Sequence, residues 1–326
     1  MNYVGTPCAH CGDGCKTTLN VRNNKILRGN NRDMTGINGE FLCIKGRYAG
    51  DFIHHPERLR QPLLRRNGQL QPASWEEALG FVAQHLKEIT KRSGPRTVGF
   101  LGSNRTTNEE NYLLARFART VVGTNNLDHH RTADFAALAG ALHGEPVRYA
   151  ASGDLSRASA ILLVGNDPTH NHPLLAWNIR SAVRQRGAHL YIINSRRIKL
   201  RRQARQLVEI PSGKEAAAIE ALHGAPADIS AATQQELATL RAALEKESDV
   251  IVLFGAEVFG SAVSRLIEFS RQLPGVTRYI ALGDYANSRG AADMGLLPDR
   301  LPGYASLKDA LTRKKWEQVW GAALPS

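Results

Sequence analysis

The sequence predicts an α/β protein, with a small, β-rich N-terminal lobe followed by a parallel-sheet, doubly wound α/β region. Three observations carry that expectation. From residue 97 onward, five short apolar runs of strand length alternate with amphipathic stretches of helical period. Residues 1–60 are instead short Gly- and Asn-rich segments. All four cysteines of the 326-residue chain lie within its first 43 residues.

The cysteines come first. Cys8, Cys11, Cys15 and Cys43 read C-x2-C-x3-C-x27-C. Three thiols on one short loop and a fourth from farther along suit the corners of a cubane. Each iron takes one thiolate, and four cysteines complete a [4Fe-4S] cluster with none left over. A tetrahedral zinc site is the rival, but structural zinc usually draws on two separated C-x2-C pairs, and here the second half supplies one cysteine. Disulfides are the remaining alternative and need an oxidising compartment. Segments 17–21 and 25–28 read as short extended pieces. Gly29-Asn30-Asn31-Arg32-Asp33 is turn chemistry that returns the chain so that Cys43 can close the set. Residues 1–60 are expected to form a lobe organised by the metal.

The α/β pattern starts at Ser74. Ser74-Trp75-Glu76-Glu77 reads as a capping box, and Leu79, Val82, Leu86 and Ile89 follow at helical spacing. The apolar runs are Thr97–Gly102, Ala160–Gly165, His189–Asn194, Val250–Gly255 and Arg278–Gly283. Helical stretches are predicted at Asn108–Val122, Pro173–Arg186, Lys214–Leu222, Gln234–Lys246 and Phe259–Gln272. Near-continuously apolar strands separated by helices imply a parallel sheet covered on both faces. Ligands of such sheets bind beyond the strand C-termini. That rim holds Gly102-Ser103-Asn104, Gly165-Asn166-Asp167, Asn194-Ser195-Arg196 and Gly255-Ala256-Glu257, with Asn166, Asp167 and Arg196 as candidate cofactor contacts. These tripeptides serve equally well as plain turns. The expected divisions are a cluster-binding lobe at 1–60, a partial first α/β domain at 61–135, a second at 136–283, and a return segment at 284–326.

Composition narrows the class. The net charge is +12, and much of it sits in Arg196, Arg197, Lys199, Arg201, Arg202 and Arg205. The run lacks the aromatic interleaving of a single-strand binder, so no nucleic acid is expected. It reads as a solvated face or as a contact for an anionic cofactor or acidic partner. No secretory signal and no apolar run of membrane-spanning length is visible, so a soluble, cytoplasmic protein is expected. Nucleotide and hydrolase fingerprints are missing: there is no G-x-G-x-x-G, P-loop, G-x-S-x-G or H-E-x-x-H. His129-His130 and His170-Asn171-His172 read as structural histidines, because adjacent side chains point apart.

With these pieces in place, the chain resembles the molybdopterin oxidoreductase superfamily nearly from end to end. The likeness rests on Cys8-Ala9-His10-Cys11-Gly12-Asp13-Gly14-Cys15 with Phe41-Leu42-Cys43-Ile44-Lys45-Gly46, and on His55-Pro56-Glu57-Arg58-Leu59. Toward the end, Asn287-Ser288-Arg289-Gly290-Ala291-Ala292-Asp293-Met294-Gly295 and Leu297-Pro298-Asp299-Arg300-Leu301-Pro302-Gly303-Tyr304 resemble a segment of formate dehydrogenases. Within the superfamily, Gly102–Tyr112 and Gly123–Arg131 are most similar to the large G subunit of NADH–quinone oxidoreductase, respiratory complex I. The resemblance implies a [4Fe-4S] cluster on the four cysteines. It also implies that Lys45, two residues after the last ligand, tunes the cluster. Against the family pattern, the chain starts after the ferredoxin-like domain of that subunit and stops before the C-terminal part of molybdopterin enzymes.

The resemblance also frames the function. Formate dehydrogenases carry a metal-ligating cysteine or selenocysteine after the segment matching Gly123–Arg131. This chain has Arg131-Thr132-Ala133-Asp134 there and no cysteine after Cys43. Serine and aspartate ligands occur in other branches, so Asp134 stays a candidate ligand, but molybdopterin guanine dinucleotide is disfavoured. The first hypothesis is a non-catalytic iron–sulfur subunit acting with other subunits of a respiratory complex, with only peripheral membrane association. The second is part of a catalytic molybdenum or tungsten enzyme such as formate dehydrogenase. The third is a non-redox assembly module docking through the basic face.

Overall fold

The computed structural model describes residues 1–143 and 145–325. The chain opens on an antiparallel three-stranded sheet of β1 (Asn2–Pro7), β2 (Lys16–Arg22) and β3 (Lys25–Asn30). The cysteine loop is the connection between β1 and β2. Gly29 and Asn30 pair with Leu19 and Thr18 inside the sheet, so the predicted turn begins later, at Arg32–Asp33. Gly29 is needed for close approach rather than for turning: a Cβ there would strike the Gly46 carbonyl oxygen. Cys43 then caps the short helix α1 (Ile44–Tyr48).

A hairpin of β4 (Leu63–Arg66) and β5 (Gln69–Pro72) turns at Asn67-Gly68, both residues at positive φ. Asn-Gly suits that geometry, because both central positions of the turn need a left-handed backbone. Helix α2 (Trp75–Ser93) follows. Ser74 Oγ accepts from the Glu77 amide at 3.1 Å, but the Glu77 carboxylate pairs with Arg66 of the hairpin, so the cap uses only the serine half of the predicted box. No residue of α2 is buried, and Trp75, Leu79, Phe81 and Val82 are all exposed along it.

The first predicted strand shrinks to β6 (Phe100–Leu101), paired in parallel with β7 (Leu127–Asp128). Between them, α3 (Asn108–Phe117) starts from a complete capping box of Thr107 and Glu110. The predicted helix to Val122 instead widens after Phe117 into a π-turn over Ala118–Val122, closed by left-handed Gly123. Arg119 lies in that turn.

After α4 (Phe135–Ala141) comes the main sheet. It comprises β8 (Ala160–Val164), β9 (His189–Asn194), β10 (Gln206–Glu209), β11 (Asp249–Phe254) and β12 (Val276–Ala281). Its order is β10-β9-β8-β11-β12, and every pairing is parallel. Four of these strands coincide closely with predicted apolar runs. The edge strand β10 is not among them, because it is four residues long and carries Gln206 and Glu209 at its ends.

Side-chain alternation divides the core. Ile161, Leu163, Leu190, Ile192, Ile251 and Leu253 face α6 (Pro173–Arg186), which follows the single-turn α5 (Pro168–Asn171). Leu162, Val164, Tyr191, Ile193, Val250 and Val252 face α7 (Glu215–Leu222), α8 (Ala231–Leu244) and α9 (Ser261–Arg271). Both faces are thus covered, as a parallel sheet requires. The chain runs outward one way from β8 to β10 and the other way from β11 to β12. The crevice beyond the ends of β8 and β11 is therefore the switch point at which such sheets bind ligands. Gly102-Ser103-Asn104 leaves that rim, since β6 belongs to the smaller sheet.

The last segment, with α10 (Ser288–Asp293) and α11 (Ala310–Trp320), packs back on the α3 region. Asn287 donates its amide to the Asn104 carbonyl, and Trp320 Nε1 donates to the Tyr112 hydroxyl at 2.8 Å. Arg119, 1% exposed, donates to the carbonyls of Gly295, Leu297 and Arg300 at 2.7–3.0 Å and through Nε to Asn125 Oδ1. Burial lowers its pKa to about 10, which leaves it a cation at neutral pH. Among the described residues no helix is long and apolar enough to cross a membrane.

Arg119→Leu should destabilise the chain by about 3 kcal/mol or more, because three carbonyls, two of them buried, lose a charged donor. Urea unfolding followed by circular dichroism measures it, and an unchanged midpoint would show that the clamp contributes nothing.

Candidate metal and cofactor site

The cysteine loop folds back on itself through the Cys8 amide, which donates to the Cys15 carbonyl at 2.8 Å. Gly12 lies directly against Gly283, leaving no room for a Cβ, so the loop can rest on the chain just beyond β12. Arg105 donates to the Ala9 carbonyl at 3.1 Å and lies over the Tyr285 ring. Two separate parts of the α/β region therefore hold the loop.

Cys8, Cys11, Cys15 and Cys43 line one cavity of about 280 Å3, walled on the far side by Leu174 and Trp177 from the first turns of α6. All four are free thiols, so the disulfide alternative is not realised. Burial, and after it the nearby Asp13 carboxylate, raises the pKa of Cys11 well above an ordinary thiol, and the same causes push Cys15 up to about 12. Burial also raises Cys8. Thiolates gathered in such a place need a cation to balance them, and a metal site supplies one. Among the described residues no three His, Cys, Asp or Glu side chains converge on the position of a single metal ion. The four cysteines line one shared space, which suits a group of several irons in which each thiolate meets its own.

Lys45 is the second residue of α1 and is exposed. It lines a neighbouring cavity of about 190 Å3 together with Cys8 and His10. Burial lowers the His10 pKa, with Arg105 and Lys45 adding to the effect, so this side of the loop is electropositive.

The main sheet brings the other rim tripeptides together at its C-terminal edge, with unequal parts. Asn166 is buried at positive φ, receives Asn194 Nδ2 on its carbonyl at 2.7 Å, and directs its own Nδ2 to Asp284 Oδ1 at 3.3 Å. Its Oδ1 has no partner, nor has the buried Oε2 of Glu257 across the crevice. Two orphaned acceptors at a switch point suit a ligand rich in N–H donors. Asp167 is a helix cap, accepting from the Thr169 amide. Arg196 is exposed to solvent and contributes its backbone amide to Asn194 Oδ1. Asp134 is committed as well: Oδ1 accepts from the Ala137 amide and Oδ2 from the Gly260 amide, both at 2.9 Å.

One connection is not visible in the sequence. His172, 2% exposed, stands between the two sites with Nδ1 3.0 Å from Asp13 Oδ1 and Nε2 3.1 Å from Asp284 Oδ1. Asp13 Oδ2 also accepts from the Leu174 amide, so a carboxylate of the cysteine loop caps the N-terminus of α6. An aspartate between two predicted ligands is a local signal. Nothing in the sequence links positions 13, 172 and 284.

Comparison with known proteins agrees with this architecture. The molybdopterin oxidoreductase Fe4S4 domain matches residues 1–55, and the molybdopterin oxidoreductase family model matches residues 58–265. The chain is 32% identical to the second NADH-quinone oxidoreductase G subunit of Rhizobium meliloti, over 98% of its own length and 40% of that protein. It is 29% identical to formate dehydrogenase H of Escherichia coli, over 100% of its own length and 53% of that protein. The chain thus spans about half or less of these curated relatives. Acetylene hydratase from Pelobacter acetylenicus shares the fold, with a TM-score of 0.64 at 16% identity, over 83% of this chain and 43% of that one. The family model alone accounts for well over half of the residues, and the chain belongs to the molybdopterin oxidoreductase family.

Proposed function

We propose that this chain is the iron–sulfur part of an oxidoreductase of the NADH–quinone oxidoreductase type, without molybdenum catalysis of its own. The observation that carries this reading is the set of four free cysteines around one cavity, in the segment matched by the Fe4S4 domain. Cys8, Cys11, Cys15 and Cys43 would hold a [4Fe-4S] cluster, which supplies a one-electron couple when bound. Leu174 and Trp177 exclude water from one side of it. Lys45 places a positive charge near the Cys8 side, and charge near the sulfurs tunes a cluster potential. Residues 1–60 act as the cluster lobe, 61–135 and 136–283 as two α/β units, and 284–326 as the segment that returns to the first. The natural partners are other subunits of a respiratory complex, at the cytoplasmic face of a membrane, and the exposed basic run around Arg196 suits an acidic partner surface.

A second reading has its own support. The unpartnered acceptors of Asn166 and Glu257 lie where a pterin or guanine could donate N–H groups, as in a catalytic molybdopterin enzyme of the formate dehydrogenase kind. Against it stand the lack of any cysteine beyond Cys43 and the full use of both Asp134 oxygens in helix and loop capping.

Protein purified without air should contain about four irons and four sulfides per chain. Cys43→Ala should lose most of that iron and loosen residues 1–60, since metal binding and folding of a small lobe are coupled. One equivalent of zinc and no iron after anaerobic reconstitution would overturn the cluster reading, and unchanged iron in the variant would remove Cys43 from the ligand set.

Anaerobic dye reduction with formate should give no turnover, and mass spectrometry should find no stoichiometric guanine dinucleotide. Turnover together with roughly stoichiometric pterin would favour the second reading.

A further inference from the structure

His172 faces a carboxylate oxygen at each ring nitrogen, Asp13 on one side and Asp284 on the other. Ionised carboxylates only accept hydrogen bonds, so satisfying both contacts takes a proton on each nitrogen. The side chain is therefore a buried imidazolium. Burial opposes that charge, but the two carboxylates outweigh it and raise the pKa to about 9. The neighbours are just as fixed. The Asp13 side chain is 5% exposed and bound at its second oxygen by the Leu174 amide, while Asp284 Oδ1 also faces Nδ2 of Asn166 and of Asn171 at 3.3 Å. A continuous polar chain thus runs from between Cys11 and Cys15 to the crevice beyond β8 and β11.

We propose that His172 is a positioning residue that locks Asp13, and with it the cysteine loop, against the start of α6, and whose positive charge raises the reduction potential of a cluster held there, with Asp284 as the counter-charge on the sheet side. The inference rests on the cluster reading above. Reduction adds negative charge to the cluster. A fixed cation behind the ligand loop favours that change, and a fixed anion opposes it. The low exposure of the group keeps solvent from screening it. The same junction ties the position of the loop to the residues that would contact a ligand at the sheet edge.

The test is a potentiometric titration at pH 6, followed by electron paramagnetic resonance, on reconstituted wild type, His172→Gln, Asp284→Asn and His189→Gln. His172→Gln removes the cation and should shift the midpoint potential downward. Asp284→Asn keeps an acceptor for Nε2 but removes the far anion, while Asp13 and the acidic pH keep the imidazole protonated. Its midpoint should move upward. His189 starts β9 at the opposite end of the sheet, bonded to Glu247, and its replacement should leave the potential where it was. Loaded variants at 172 and 284 whose potentials match wild type would overturn the proposal, as would an equal shift in His189→Gln. If His172→Gln fails to retain iron, the Asp284→Asn midpoint decides alone: an upward shift supports the proposal and no shift overturns it. Wild type that binds no iron overturns the cluster reading first, and this inference falls with it.

Discussion

Asp13 joins the two halves of this molecule. Its carboxylate sits between two cysteines, caps the first turn of α6 and holds His172. Each partner answers a physical need: the helix N-terminus exposes unpaired amides, and the buried imidazole needs an anion on either side. Because α6 also walls the cysteine cavity and covers one face of the main sheet, the loop and the sheet are positioned by the same helix. Displacing the loop would uncover the helix terminus and strand two charges at once.

The main sheet sets where that junction can be. Its central strands are buried on both faces by apolar side chains, so polar atoms gather mainly at the strand ends, and the outward winding from β8 and β11 opens a crevice there. Asn166, Glu257 and Asp284 come together for that reason rather than through any local motif. The positive φ of Asn166 lets the chain leave β8 sharply and turn its side chain toward Asp284.

Legibility in the sequence follows the range of the interactions. Strands such as Ala160–Val164 and helices such as Pro173–Arg186 are readable because burial imposes periodicity on neighbouring residues. The cysteine spacing is readable because three of the four thiols share one loop. The hairpin at Asn67-Gly68, absent from the expected elements, carries a clear turn signal, whereas β10 carries almost none. Gly29 looks like a turn residue but marks a close contact with α1, which only the packed structure reveals. Of the rim residues, Asn166 is buried with an unpartnered Oδ1, Asp167 caps a helix and Arg196 is exposed to solvent, differences that depend on the packed sheet. The Asp13–His172–Asp284 junction lies beyond reach, since its members come from distant segments and no pattern in any one of them requires the others.

The uncovered side of α2 has a practical consequence. Trp75, Leu79 and Val82 form an apolar strip on a helix with no buried residue, next to a hairpin that grips it through Arg66, and Phe81 is exposed on another side of the same helix. Hydrophobic surface of this kind governs how a protein behaves in bulk solution. Excluded salts such as sulfate strengthen burial of that surface, whereas the surplus of positive charge keeps molecules apart only while ionic strength is low. Precipitation by kosmotropic salt and retention on hydrophobic media would therefore owe part of their strength to this one helix.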